Sequence, residues 1–408
     1  MRKFDWNFKL LLISKVISVI GGNILGFAMI LFLVEFTQSA ALLGVMSALS
    51  AIPALLVAPF AGVLADRLNK KNLILLFDFL KALCCFGLLA LLTTGSYTFW
   101  NITWVRVATM TVTVLAMPVF TATVPRIVKE DHLVEANGMI GAIGALGLIG
   151  GSIIGGVLFG VLGIVRIALF AGILNLLSAI IDLFLKIPHQ KQERTGSLWQ
   201  TVVGDLGEGV QFLRYEKPHL FKFNMATAVL TLLLPPVFTI GLPFIVSVVF
   251  QRPVTLSFAI AALGMLLGGV LAGNFKKWLD IRYYSLWVAA MGIATVPLGI
   301  SFMPGIVERP LAFHLFNFSL FALLFILSLM NALFAAYLQK EVPEHLLGKV
   351  DSLLVLIERL ASPIGILGVG FFIESVELPL FFLATALIIW LSALSCQRIQ
   401  RKLAKSFS

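Results

Sequence analysis

Long apolar runs separated by short polar intervals follow one another from residue 8 to residue 396. A helix needs about 20 apolar residues to cross the hydrocarbon core of a bilayer. Runs of that order fall at 8–35, 40–65, 72–93, 98–121, 136–160 and 164–186, and again at 221–249, 255–274, 283–303, 310–338, 349–373 and 376–396. The longest polar stretch, Pro188 to about His219, lies between the two sets. The pattern predicts an all-α integral membrane protein of twelve transmembrane helices in two pseudo-symmetric six-helix bundles. These are 1–187 and 221–408, joined by a cytoplasmic linker at 188–220.

The halves echo each other at an offset of 213 residues. Phe8-Lys9-Leu10 opens the first run and Phe221-Lys222-Phe223 the seventh; Asp131-His132-Leu133 precedes the fifth and Glu344-His345-Leu346 the eleventh. Parallel six-helix repeats about an axis normal to the membrane are a known transporter architecture. Within the linker, Leu198, Trp199, Val202, Val203, Leu206, Val210 and Leu213 recur at helical spacing, with Asp205, Glu208 and Arg214 between them. That spacing predicts an amphipathic helix on the inner leaflet, tethering the halves.

Composition agrees with the pattern: 60% of residues are apolar, 12% charged, and the mean hydropathy is +1.02. A soluble domain carries about a quarter charged residues. The net charge of +10 would fit a nucleic-acid binder, but its placement excludes that reading. With the N-terminus inside, 23 of the 30 Lys and Arg fall in inner segments, and the outer ends hold Arg166, Arg252 and Arg309. This is the positive-inside bias, and it predicts that both termini are cytoplasmic. The first run carries Lys15, is too long for a signal peptide and lacks a small-residue cleavage site, so it counts as a span. Cys84, Cys85 and Cys396 have no disulfide or metal-site spacing. No HExxH, paired histidines or serine motif is present, and Gly348-Lys349-Val350 lacks the first glycine and the hydroxyl of a phosphate loop. Neither an enzyme nor an ATP-driven pump is expected, and no cofactor or metal.

Several segments carry a family pattern. The loop after the second span reads GVLADRLNKK, Gly62 to Lys71, with Asn69 where a left-handed turn would favour glycine. A second copy, GVLAGNFKK, runs from Gly269 to Lys277 with Gly273 in place of the acid. In the fifth span Gly138, Gly147, Gly151, Ser152, Gly155 and Gly156 fit G-x8-G-x3-G-P-x2-G-G, with Ser152 for the proline. Further glycines, Gly141, Gly144, Gly150 and Gly160, extend that pattern. Arg106 lies well inside the fourth span, followed by Thr109 and Met110. These features resemble the major facilitator superfamily. The segments VPRIVKEDHLVEANG, DLGEGVQFLR and LQKEVPEHLLGKV are similar to its macrolide-efflux branch.

The resemblance implies a secondary active transporter in a bacterial inner membrane. Its function would be proton-coupled export of a bulky amphipathic, macrolide-like compound by alternating access. It implies a conformational latch at Gly62, Asp66, Arg67, Lys70 and Lys71, antiporter-type packing of the glycine face against a helix of the other half, and a proton-coupling role for Arg106. It also implies a cavity lined by spans one, four, seven and ten. Phe27, Trp104, Phe238 and Phe316 would form its walls, with Asn23, Asn317 and Asn331 as sparse polar groups. An apolar pocket of this kind suits an amphipathic solute. A lipid or lysophospholipid transporter of the same fold is the alternative. The expected partners are the solute, protons and membrane lipids, and the chain is expected as a monomer.

Charges inside the bilayer are costly unless paired or facing a wet cavity. Asp78 and Lys81 are three apart and can pair on one helix face. Lys15 is expected to snorkel to the inner surface. Asp182 with Lys186 is expected to close the sixth span as a structural pair, and His314 to sit at the outer interface. Glu358 and Arg359, being adjacent, point about 100° apart. Related exporters often carry an acid in mid-span one, where this chain has Asn23, with Glu35 at the outer end. Glu358 therefore becomes the expected coupling acid with Arg106, and Asp78 stands next.

Overall fold

The computed structural model describes residues 5–57, 68–187, 207–275, 280–305 and 308–406. Among these residues the secondary structure is helical throughout. Helix α1 spans Trp6–Thr37, capped by the Asp5 side chain and closed by Gln38 at φ 49°. Next come α2 (Ala40–Leu56) and α3 (Lys70–Thr93). Asn69 accepts from the N–H groups of Lys71 and Asn72 at the start of α3, with φ −66° and ψ 113°. The expected left-handed turn is thus not found there: an N-cap takes extended backbone so that its side chain can reach the helix amides. Helix α4 (Phe99–Ile127) starts at a Thr98 cap. Its Thr103, Thr109 and Thr123 hydroxyls each donate to the carbonyl one turn back at 2.8 Å, which satisfies them without water.

Helix α5 (Leu133–Leu183) has 51 residues, interrupted at Gly163 by φ 69° and ψ 169°. At 1.5 Å per residue an unbroken helix would run about 76 Å, far beyond one bilayer. The neighbours of the two parts give their directions. A Cβ on Gly147 would meet Val19, one on Gly151 would meet Asn23, and one on Gly155 would meet Ile24 and Phe27, so 133–162 runs parallel to α1. Leu174 lies against Gly21 and Asp182 against Ser14, so 164–183 runs antiparallel to it. The chain therefore reverses at Gly163, a conformation in which any side chain would be strained.

The later helices are α6 (Pro218–Val249), α7 (Val254–Leu271), α8 (Tyr284–Ile300), α9 (Arg309–Glu341), α10 (Glu344–Ser375) and α11 (Leu378–Ser406). Pro235 and Pro236 cannot donate within α6, and the hydrogen bonding widens after them into π-helical stretches at Val237–Gly241 and Ile245–Val249. Among the described residues ten helices are long and apolar enough to cross a membrane; with the shorter α2 and the reversal within α5 they are consistent with twelve spans. Before α8, Asp280 caps a short turn, and its hydrogen bonds from Arg282 hold the carboxyl below the usual carboxylate range.

The chain divides into two compact units. One comprises Met1–Gln38 and Val45–Thr195, the other Ser39–Gly44 and Gly196–Ser408. The division falls within the expected linker, but Ser39–Gly44 at the head of α2 clusters with the second unit. Leu198, Trp199, Val202, Val203 and Leu206 of the expected amphipathic helix lie outside the described residues. Its end is helical at 207–211 and passes into a π-helical turn at Phe212–Glu216. Phe212 and Leu213 are buried with Leu338, Val342, Val350 and Leu354, and Lys349 Nζ pairs with Glu208 at 2.6 Å. Phe212 and Leu213 of this part are thus covered by the ends of α9 and α10, while Val210 stays exposed.

Candidate functional site

The densest set of polar side chains in the first unit lies between α1, α3 and the 164–183 part of α5. Sequence spacing puts them on facing helix sides: Ser14 and Ser18 one turn apart, Asp78 and Lys81 three apart, and Asn175, Ser178 and Asp182 along one stripe. Asp78 is 5% exposed and Asp182 0%. Lys81 Nζ donates to Asp78 Oδ1 at 2.9 Å and to Ser18 Oγ at 3.1 Å, so the expected Asp78–Lys81 pair is present. Ser18 Oγ also lies 3.0 Å from Asp78 Oδ1 and 3.3 Å from Asn175 Oδ1. Ser178 Oγ bonds Asp78 Oδ2 in a short contact. It lies 2.9 Å from Ser14 Oγ and 2.9 Å from the Ser14 carbonyl oxygen. Ser14 Oγ in turn lies 2.6 Å from Asp182 Oδ1, and Asp182 Oδ2 has no hydrogen-bond partner.

Two expectations are corrected here. Asp182 does not pair with Lys186; it turns inward to Ser14, while the Lys186 backbone N–H donates to Asn7 Oδ1 at 3.1 Å. Lys15 does not snorkel. Its ammonium lies 4.5 Å from the Phe120 ring centroid, and it lines a cavity of about 20 Å³ with Ser14, Ser18, Ile74, Asp78, Lys81, Ala116 and Phe120. The ring face and the polar lining hold the charge inside the helix cluster.

Arg106 on α4 faces α1, where Gly26 makes room for it: a Cβ on Gly26 would stand 2.8 Å from Arg106 Nη1. Its expected companion Glu358 belongs to α10 in the other unit, half-buried, with Arg359 exposed beside it. The glycine face of α5 also differs from expectation. Gly147, Gly151 and Gly155 pack on α1 of their own unit, because their missing Cβ atoms leave space for Val19, Asn23 and Phe27. Gly138, Gly141, Gly144, Gly150 and Gly160 have nothing within 4 Å of a Cβ position. Of the latch residues, Gly62, Asp66 and Arg67 lie outside the described residues; Lys70 is buried, and Lys71 Nζ donates to the Leu183 carbonyl at 2.7 Å.

The expected cavity residues do not share one environment. Trp104 and Asn331 are exposed, and Phe238 is half-buried. Asn23 turns its amide to the Val19 carbonyl at 2.9 Å. Phe27 is buried beside Gly155. Phe316 is no cavity wall: it is 0% exposed, ringed by Phe250 and Phe302 at centroid distances of 5.4 and 6.0 Å. Asn317 is buried next to it, with its amide nitrogen on the Phe313 carbonyl at 2.8 Å. Helical periodicity explains both, since Phe313, Phe316, Asn317 and Leu320 occupy one buried stripe of α9.

Comparison with known proteins follows the same architecture. The sequence profile of the Major Facilitator Superfamily matches residues 11–366. The chain is 25% identical over 415 residues to macrolide efflux protein A of Streptococcus pyogenes, covering 98% of each. It is 24% identical over 369 residues to an uncharacterized MFS-type transporter, YfiS, of Bacillus subtilis (strain 168), covering 87% of this chain and 84% of that one. Among solved structures it resembles the nucleoside transporter NupG, with a TM-score of 0.70 at 14% identity over 98% of this chain and 99% of that one. It also resembles a bacterial homologue of the iron transporter ferroportin in an inward-facing state, with a TM-score of 0.69 at 17% identity over 97% and 98%. At these identities the structural likenesses describe the fold alone.

Proposed function

The chain belongs to the Major Facilitator Superfamily, and we propose that within it this multi-pass membrane transporter is a proton-coupled exporter of bulky amphipathic organic compounds. The observation that carries the substrate class is the full-length similarity to macrolide efflux protein A. Support for proton coupling comes from the ionisable groups buried between apolar helices, Asp78, Lys81 and Asp182. Such groups mark ion or proton pathways in transporters more often than they serve packing alone. The positive-inside bias supports an inner-membrane location with both termini in the cytoplasm. The partners are then the exported solute, protons and surrounding lipid.

The test is transport by purified protein in proteoliposomes under an imposed pH gradient, with a panel of labelled compounds including a macrolide and a lysolipid. Gradient-dependent movement of the macrolide, with proton flux in the opposite sense, is the expected result. Lysolipid movement alone assigns the chain to lipid transport, and movement indifferent to the gradient removes proton coupling.

The basic loop at Gly62–Lys71 is the latch in this reading, with Asp66 holding the outward-open state. Asp66→Asn removes the charge at constant size and shifts the population towards the inward-open state, by a coupling of about 1–3 kcal/mol. Spin-label distances across the inner gate measure it; an unchanged distribution with transport intact leaves the loop a topological turn.

A further inference from the structure

Four oxygen atoms in the first unit form a continuous chain: Asp182 Oδ1, Ser14 Oγ, Ser178 Oγ and Asp78 Oδ2. Its three links all lie at hydrogen-bond distance, and each link needs one proton. A hydroxyl carries one proton and a carboxylate none, so the two serines supply two. The third belongs to a carboxyl. We propose that Asp78 and Asp182 share a single proton through this two-serine wire, and that the wire is the first unit's own proton-loading site. The loading role rests on the proton-coupled reading above; the shared proton rests on the geometry alone.

The partners of each carboxyl say where the proton sits. Asp78 Oδ1 faces the Lys81 ammonium and the Ser18 hydroxyl, which are the surroundings of a carboxylate ion. Asp182 has no cation at hydrogen-bond distance, one oxygen without a partner and no exposure. A buried ion so placed carries a large desolvation cost, which a neutral acid avoids. The resting arrangement is therefore Asp182 as the acid donating to Ser14, Ser14 to Ser178, and Ser178 to the Asp78 carboxylate.

Transfer reverses every link. The Asp182 O–H bond breaks as Ser14 gains that proton, Ser14 passes its own to Ser178, and Ser178 passes its own to Asp78. One proton crosses from Asp182 to Asp78, no electrons leave, and both serines end neutral. The cavity of about 20 Å³ opens on Asp78, Lys81, Ser18 and Lys15, which is room for one water beside the Asp78 end. A proton can enter or leave there.

Among the described residues, the charged groups facing the wire come from three helices. Helix α1 contributes Lys15, α3 contributes Asp78 and Lys81, and α5 contributes Asp182. Cys85 of α3 stands behind Asn175 at 3.8 Å, and α4 presents Ala116 and Phe120 to the cavity.

The test has two arms on the full-length protein. Infrared spectroscopy of the purified transporter near neutral pH should show the carbonyl stretch of a protonated carboxylic acid that shifts in deuterium oxide. It should be lost in Asp182→Asn and kept in Glu358→Gln. A spectrum in which Asp182→Asn loses no such band overturns the shared proton, whatever the protein transports. In proteoliposomes, Ser14→Ala keeps both carboxyls but cuts the wire. It should slow gradient-driven transport by at least about tenfold. Undiminished gradient-driven transport in both Ser14→Ala and Asp182→Asn overturns the loading role. If the wild type itself shows no gradient-driven transport, the proposed function fails and the loading role with it, while the infrared band still decides the shared proton. Glu358→Gln, which leaves every member of the wire in place, controls for the loss of a half-buried carboxyl elsewhere in the chain.

Discussion

The 164–183 part of α5 and helix α11 are repeats of one another, yet one carries a buried acid and the other does not. Buried positions 167, 168, 171, 175, 178, 179 and 182 recur at 381, 382, 385, 389, 392, 393 and 396. The register is 214 here, one more than the 213 read from the short sequence matches. In it Asn175 corresponds to Ile389, Ser178 to Ser392 and Asp182 to Cys396. On the facing helices Asp78 corresponds to Gly292 and Lys81 to Thr295. Where the first unit has a carboxylate, the second has no side chain at all, and the Trp390 indole fills the space. Trp390 Nε1 donates to the Ala289 carbonyl at 3.2 Å, and Thr295 to the Met291 carbonyl at 2.8 Å, so each polar atom is satisfied by nearby backbone. One backbone arrangement thus tolerates a charged network or an apolar plug. Packing alone does not require the acids of the first unit.

Breaking the charged version should have the largest effect. Lys81→Met leaves Asp78 buried without its cation and should destabilise the protein by about 3–5 kcal/mol. The double variant Asp78→Asn with Lys81→Met should recover most of that, because neither charge remains. Thermal unfolding in detergent measures both; equal stability of Lys81→Met and wild type would show that the pair does not hold the helices. In the plugged version, Gly292→Ala pushes a methyl into the Trp390 ring and should cost about 1–3 kcal/mol. Gly138→Ala, which meets nothing within 4 Å, should be neutral or stabilising by up to about 1 kcal/mol. The smallest effect belongs to the exposed ion pair of the second unit. Lys349 and Glu208 side chains are 29% and 57% exposed, against 11% and 8% for Lys81 and Asp78. Lys349→Ala should cost less than about 1 kcal/mol and show a weak salt dependence, read in the same unfolding assay. A cost as large as that of Lys81→Met would mean that burial does not set the difference.

Span number and the Asp78–Lys81 pair are legible because each depends on local spacing: apolar run length and an i,i+3 step. The wire is not legible from spacing, although its parts stand in the sequence. Ser14 and Ser18 share a face of α1, and Asn175, Ser178 and Asp182 share a face of α5, but single serines in apolar spans usually bond their own helix, as Thr103 does. Which helix they face is a long-range fact. Spacing pairs Asp182 with its nearest charge, Lys186, whereas the side chain turns to Ser14. The same limit governs Lys15, whose reach allows either the interface or the interior, and Phe316, whose buried stripe no motif marks. The extra residue that moves the register from 213 to 214 is likewise invisible to matches of three residues.

The reversal at Gly163 bears on how the protein is made. With one non-helical residue joining two helices, almost no polar chain has to be carried across the bilayer when this hairpin inserts. The amides and carbonyls freed at the turn still need water or head groups. The turn must therefore rest at the membrane surface, and it sets the depth of both helices at once. Four residues added anywhere between Gly147 and Gly163 would lift the turn by about 6 Å or drag the α1 contacts out of line. The hairpin is a depth gauge for the first unit, cut to a fixed length at the moment of insertion.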